Sequence, residues 1–251
     1  MTYRARLFII LLAFQFISAN VISLESPIIP QIDCNDLNNN GNPDFIAFNN
    51  SITPQILYHV EYKNSQIEIL WEYLLPEESN GYFSNMILGD FDDNGVFELI
   101  VSSYQDGREE TFYIFSINDA HIISDTPEIL ALENSSISIT NPRNLYQMNS
   151  ELGGPNQFIV TQGSPNRAVI ICEYINKKIK KIGSLGDEFI NAYKGPIDIA
   201  LGNFDNDRVE DVFILCNGLE PEGQFIFSDG STKNINLSNY SSFRQLYPKG
   251  L

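Results

Sequence analysis

Oxygen-bearing side chains recur at alternate positions in Gly89-Asp90-Phe91-Asp92-Asp93-Asn94-Gly95-Val96-Phe97-Glu98. Asp90, Asp92, Asn94 and Glu98 take positions one, three, five and nine of a short loop. This spacing aims side chains at one point, and a hard cation such as Ca²⁺ takes six to eight oxygen ligands at roughly 2.3–2.6 Å. Gly95, at position six, stands where the loop must turn back and φ > 0 is expected. The backbone carbonyl of Val96, at position seven, is the natural further ligand. Two other stretches repeat the pattern. The first offers Asp36, Asn38, Asn40 and Asp44, with the carbonyl of Asn42. Only two of these are charged, so its affinity is expected to be modest, although an Asn/Gly-rich turn needs no ion to form. The other offers Asn203, Asp205, Asp207 and Asp211, with the carbonyl of Val209. Here Asn203 replaces the first Asp and Arg208 replaces the glycine. An Arg at φ > 0 costs about 1 kcal/mol, and its guanidinium offers an alternative to an ion by pairing with Asp205 or Asp211. A worn fourth copy, Asn149 to Gln157, keeps only Glu151 as an acid and is expected to be empty.

The four starts, 36, 90, 149 and 203, lie 54, 59 and 54 residues apart. A fixed period of this size means stacked supersecondary units, a solenoid or a propeller. EF-hands are excluded, because they need a bidentate Glu at position twelve and flanking helices. Position twelve here is Ala47, Val101 and Ile214, inside β-branched and aromatic runs of strand type. The loops resemble the FG-GAP or VCBS-type repeat of integrin α-like β-propellers, most specifically in Gly89-Asp90-Phe91-Asp92-Asp93-Asn94-Gly95 and Asp36-Leu37-Asn38-Asn39-Asn40-Gly41-Asn42-Pro43-Asp44. The resemblance implies an Asp-rich loop joining the first and second strands of each blade and binding Ca²⁺ there.

Strand-like runs surround each loop. After the first come Asp44 to Phe48, Gln55 to Tyr62 and Gln66 to Leu75; after the second, Glu98 to Tyr104, Thr111 to Ile117 and a less regular piece from His121 to Leu132. The third unit reads Gln157 to Thr161, Arg167 to Tyr174 and Ile179 to Leu185, and the fourth Asp211 to Cys216, Gln224 to Ser228 and Thr232 to Leu237. A further run precedes each loop, as in Met86-Ile87-Leu88 and Ile197 to Leu201. Four strands per unit without helical periodicity is the arithmetic of a propeller blade. The expected fold is therefore all-β and β-propeller-like, with four antiparallel strands per blade. Its repeats fill residues 30–251, in units near 30–75, 84–132, 141–185 and 195–239. Phe243 to Tyr247 looks like the first strand of a further unit, so four blades form either a small ring or an incomplete one.

Residues 1–19 read as a secretory signal peptide, with Arg4 and Arg6, an apolar core from Leu7 to Ile17, and Ser18-Ala19 as the cleavage edge. The core is shorter than the roughly 20 residues of a spanning helix. The expectation is a secreted or cell-surface protein with no membrane insertion after signal cleavage. Formal net charge is −17, which argues against nucleic acid or anionic membrane as partner. Part of that charge crowds into the loops, where a divalent ion would relieve repulsion and couple binding to folding. Cys34, Cys172 and Cys216 match neither a disulfide framework nor a zinc site. Cys172 and Cys216 lie in apolar runs and read as buried thiols; a bridge from Cys34 stays open. Four sequons, at Asn49, Asn134, Asn236 and Asn239, matter only in a eukaryotic source.

The sequence motivates no catalysis. It has two histidines, His59 and His121, and carries no Gly-x-Ser-x-Gly elbow, His-Glu-x-x-His pair or phosphate-cradling loop. The functional expectation is a non-enzymatic extracellular interaction or adhesion module, stabilised by two or three Ca²⁺ ions and meeting a protein or glycan ligand. The alternatives are a carbohydrate-active enzyme or carbohydrate-binding protein on the same scaffold, to which exposed aromatics would contribute stacking, and the N-terminal structural module of a larger cell-surface protein.

Overall fold

The central strand of every repeat is apolar on both faces, and stacked sheets explain why. The structure is a computed structural model describing residues 28–49, 54–76, 81–105, 108–109, 111–118, 122–133, 139, 141–148, 157–191, 193–217 and 222–237. The signal-peptide reading, His121, the worn loop at 149–156 and the run 243–247 lie outside these residues. Among them all regular structure is strand, arranged as four sheets in chain order. Blade I holds β1 (Ile28–Asn35), β2 (Asp44–Asn49), β3 (Ile56–Lys63) and β4 (Gln66–Leu74). Blade II holds β5 (Tyr82–Gly89), β6 (Glu98–Tyr104), β7 (Phe112–Ser116) and β8 (Glu128–Leu130). After β9 (Leu132–Glu133), blade III holds β10 (Pro142–Gln147), β11 (Gln157–Gln162), β12 (Ala168–Ile175) and β13 (Lys178–Leu185). Blade IV holds β14 (Gly195–Gly202), β15 (Asp211–Asn217), β16 (Glu222–Ile226) and β17 (Thr232–Asn236).

Within each blade the strands pair antiparallel in sequence order. The fold is all-β and propeller-like, as the repeat period predicts. One element departs from it. β9, at the end of the irregular run assigned to the second unit, pairs parallel with β13 as a fifth strand of blade III. Each first strand also carries a bulge against the second: between Ile28 and Gln31, Phe83 and Asn85, Pro142 and Asn144, and Pro196 and Asp198. A recurrent bulge adds local twist at the same place in every blade, so the units are alike in backbone as well as in sequence.

Side-chain alternation distributes each central strand between two cores. In β6, Leu99 and Val101 join Ile46, Phe48, Leu57 and Trp71 between blades I and II. Ile100 points the other way, joining Phe158, Val160 and Ile170 between blades II and III. In β11, Ile159 then meets Val212, Ile214 and Cys216 between blades III and IV. Ile46, Ile100 and Ile159, the eleventh residues counted from each loop start, are all 0% exposed. Burying one such side chain contributes about 1.5–3 kcal/mol, and each blade needs its neighbour to obtain it. Cys172 and Cys216 are free and buried, and burial pushes the Cys216 thiol up to about 12.

Candidate metal centres at the blade corners

Three loops joining first and second strands adopt one conformation. Positions four and six are left-handed in each: Asn39 and Gly41 (φ 55° and 90°), Asp93 and Gly95 (57° and 81°), Asn206 and Arg208 (69° and 76°). Each is held by the same side chain. The position-five oxygen accepts the position-seven N–H: Asn40 from Asn42 at 2.9 Å, Asn94 from Val96 at 2.6 Å and Asp207 from Val209 at 2.7 Å. The apolar strand that follows anchors the ninth residue, leaving Asp44, Glu98 and Asp211 buried at the start of β2, β6 and β15.

In the blade II loop, oxygens of Asp90, Asp92 and Glu98 lie within 4.8 Å of one another. Asp90 accepts the N–H groups of Asn94 (3.0 Å) and Gly95 (2.8 Å), which fixes its carboxylate across the loop. Glu98 accepts the N–H of Phe91 at 2.8 Å. Asp92 Oδ1 is buried without a hydrogen-bond partner, an arrangement that is costly unless a cation meets it. Burial pushes the Glu98 carboxyl up to about 7, with smaller contributions from the charges of Asp92 and Asp90. Three acids held this close favour a divalent ion in their midst. The turn of blade III approaches the same corner: Lys177 pairs with Glu128, whose carboxylate accepts from the Tyr174 hydroxyl at 3.4 Å.

The blade IV loop also gathers three acids, Asp205, Asp207 and Asp211, with oxygens within 4.8 Å. Asp211 accepts the N–H groups of Phe204 (2.7 Å) and Ser228 (2.9 Å), and the Ser228 hydroxyl donates to Asp207 at 2.7 Å. That hydroxyl is the main reason the Asp207 carboxyl sits below its usual range, whereas desolvation first, then Asp207 and Asp211, push Asp205 up. Asn203 accepts the N–H of Asn206, position four of the loop, at 2.5 Å, whereas Asp36 and Asp90 accept those of positions five and six. Among the described residues Arg208 makes no ion pair with Asp205 or Asp211. It adopts the left-handed backbone and leaves the acid cluster intact.

The blade I loop keeps the backbone but has a different centre. Asp36 accepts the N–H groups of Asn40 (2.9 Å) and Gly41 (2.7 Å), and Asp44 accepts that of Asn38 at 3.2 Å. Asn38 Oδ1 accepts from Asn40 N–H at 3.1 Å. The side-chain amides of Asn38 and Asn40 both donate to Glu61, a buried acid paired across the ladder from Asp44. Those amides, Asn40 first, hold the Glu61 carboxyl below its usual range. Asp44 Oδ1 makes no hydrogen bond; the nearest group is His59 Nε2 at 3.5 Å, and burial keeps that imidazole's pKa low despite the carboxylate. Glu61 and Ser228 are absent from the sequence pattern because they lie further along the chain, Glu61 on β3 and Ser228 in the turn between β16 and β17. The one available signal was the alternation His59-Val60-Glu61, with an acid in an otherwise apolar strand.

No family model matches the sequence, and no curated protein matches it. Among solved structures, a protein from Lactobacillus plantarum is similar to this chain with a TM-score of 0.40 and 10% identity, over 77% of this chain and 67% of that one. Likeness at that level carries no argument about family or function. No helix among the described residues is long and apolar enough to cross a membrane.

Proposed function

We propose that this chain is an FG-GAP/VCBS-type repeat protein, secreted or displayed at a cell surface, in which Ca²⁺ rigidifies the blade corners of a non-enzymatic interaction or adhesion module. The observation that carries the metal reading is the recurrence of one loop conformation at equivalent corners, with three convergent carboxylates in two of them. Asp90, Asp92, Asn94 and Glu98, with the carbonyl of Val96, would hold one ion. Asp205, Asp207 and Asp211, with Asn203 and the carbonyl of Val209, would hold a second. Asp36, Asn38, Asn40 and Asp44, with the carbonyl of Asn42, form the third corner, where the Asn amides must turn from Glu61 to present oxygen. When bound, the ion supplies charge neutralisation and cross-links the loop to the ninth residue. The protein groups orient it and exclude water. The extracellular interaction role rests on the family resemblance, the signal-peptide reading and the net acidity. Metal content of purified mature protein, measured by mass spectrometry, tests the centres: two or three calcium ions per chain are expected, and none would refute them. A pull-down from extracellular matrix and glycan arrays, with and without chelator, tests the interaction role; Ca²⁺-independent turnover of a glycan would replace it with an enzyme.

A further inference from the structure

At one register position blade I departs from the other three blades. Across the ladder from Ile46 stands His59, where the corresponding partners of Ile100, Ile159 and Phe213 are Ile114, Ile171 and Phe225. His59 is 3% exposed, and an imidazole set among core residues is costly unless its polar atoms are met. Its Nε2 is buried without a hydrogen-bond partner, and so is Asp44 Oδ1, the atom it faces at 3.5 Å. The same face holds a third ionisable group, Glu61, buried and paired with Asp44 across the ladder. Lys63 supplies one partly exposed positive charge, 3.8 Å from Glu61, against two buried negative ones.

The separation decides what joins the pair. A direct N–H···O bond would close to about 2.7–3.2 Å, so 3.5 Å is too long for one. Two ligands of one tetrahedral ion, at about 2.0–2.2 Å each, stand about 3.3–3.5 Å apart. The donor set then selects the class of metal. Imidazole nitrogen suits zinc and its first-row neighbours, whereas calcium takes oxygen. Burial lowers the His59 pKa and keeps the ring neutral, which leaves a nitrogen lone pair to donate. Glu61 already has the hold that ligating carboxylates receive from their outer neighbours, because the Asn38 and Asn40 amides both donate to its Oε2. A centre on His59, Asp44 and Glu61 leaves those amides where they are, whereas calcium at this corner requires them to turn. The loop above, from Asn39 to Gly41, is exposed and gives an ion its entry.

We propose that the blade I corner takes a transition metal of the zinc class, with His59 Nε2, Asp44 Oδ1 and the Glu61 carboxylate as ligands and water in the fourth place. Such a centre goes beyond the calcium reading and is independent of the blade II and blade IV centres, whose donors are all oxygens. The fold carries its own probe. Trp71, the single tryptophan, is the cross-strand neighbour of His59, and Co²⁺ bound at this corner would quench its emission. Full-length protein in millimolar Ca²⁺ is titrated with Co²⁺ and then with Zn²⁺. Saturable quenching by more than half at one Co²⁺ per chain, reversed by Zn²⁺, is the expected result. His59→Leu should lose the quenching while its far-ultraviolet circular dichroism stays native. Quenching that is absent, that Ca²⁺ suppresses, or that persists in His59→Leu overturns the proposal. Should that variant fail to fold, Glu61→Gln decides. It keeps an acceptor for the Asn38 and Asn40 amides, so Zn²⁺ affinity in the Co²⁺ competition should fall by about tenfold or more, and an unchanged affinity overturns the proposal.

Discussion

Replacing Glu98 by Gln should move stability in opposite directions depending on whether calcium is present. Glu98 is 2% exposed, and burial with two neighbouring aspartates pushes its carboxyl up to about 7. Its raised folded-state pKa fixes the sign. The folded chain without metal binds this proton more tightly than the unfolded chain, so the contribution is fully present below the unfolded value. It is lost as pH rises through 7. At about 1.4 kcal/mol per pH unit, holding the group ionised at pH 8 costs the metal-free fold roughly 3 kcal/mol. Gln removes that cost, keeps the volume and leaves an oxygen to accept the Phe91 N–H. In chelator at pH 8 the variant should therefore melt higher, by roughly 5–10 °C for a chain of this size. Calcium at a hundred times its dissociation constant would stabilise the native protein by about 2.7 kcal/mol, and the variant should lose most of that gain. Differential scanning fluorimetry in chelator and in millimolar Ca²⁺, at pH 5.5 and 8, reads both effects. At pH 5.5 the difference in chelator should shrink towards zero. A variant that melts lower in chelator, or that keeps the full calcium gain, would refute the reasoning.

Other substitutions probe separate parts of the argument. Asp90→Ala removes both a proposed ligand and the acceptor for two loop N–H groups, so the calcium-dependent rise in melting temperature should largely vanish. An undiminished rise would place the ion elsewhere. Arg208→Gly should stabilise the fold by about 1 kcal/mol, because the left-handed backbone at φ 76° then carries no Cβ strain; a denaturant midpoint at or below the native value would contradict this. Gly223→Ala should cost roughly 1–3 kcal/mol by forcing the Phe213 ring off β16, readable in the same titration. Gly95→Ala meets nothing within 4 Å, so its cost should be limited to the left-handed backbone, about 1 kcal/mol.

Much of this architecture is written in local chemistry. The loop spacing gave the repeat period, and the apolar runs after each loop gave strands whose limits differ from the observed ones by two residues or fewer in most cases. Both are consequences of short-range rules: oxygen alternation, left-handed turn residues, and β-branched cores. What escaped depends on pairing across distance. Glu61 reaches the first loop only because β3 lies in register with β2, and Ser228 reaches the fourth only because β16 returns beside β15. The irregular run before residue 133 could not be resolved from its own residues. Its last two, Leu132 and Glu133, gain their strand partner from the next blade. Arg208 shows the reverse limit. Its residue type argued against a turn that the surrounding Asp and Asn side chains impose regardless.

The strap formed by β9 has a mechanical meaning. A short piece of chain leaving blade II is hydrogen-bonded to the far margin of blade III, and Lys178 grips Glu133 across it at 2.5 Å. Among the described residues it is the one strand pairing that crosses between blades, so separating blades II and III would break backbone hydrogen bonds as well as apolar contacts.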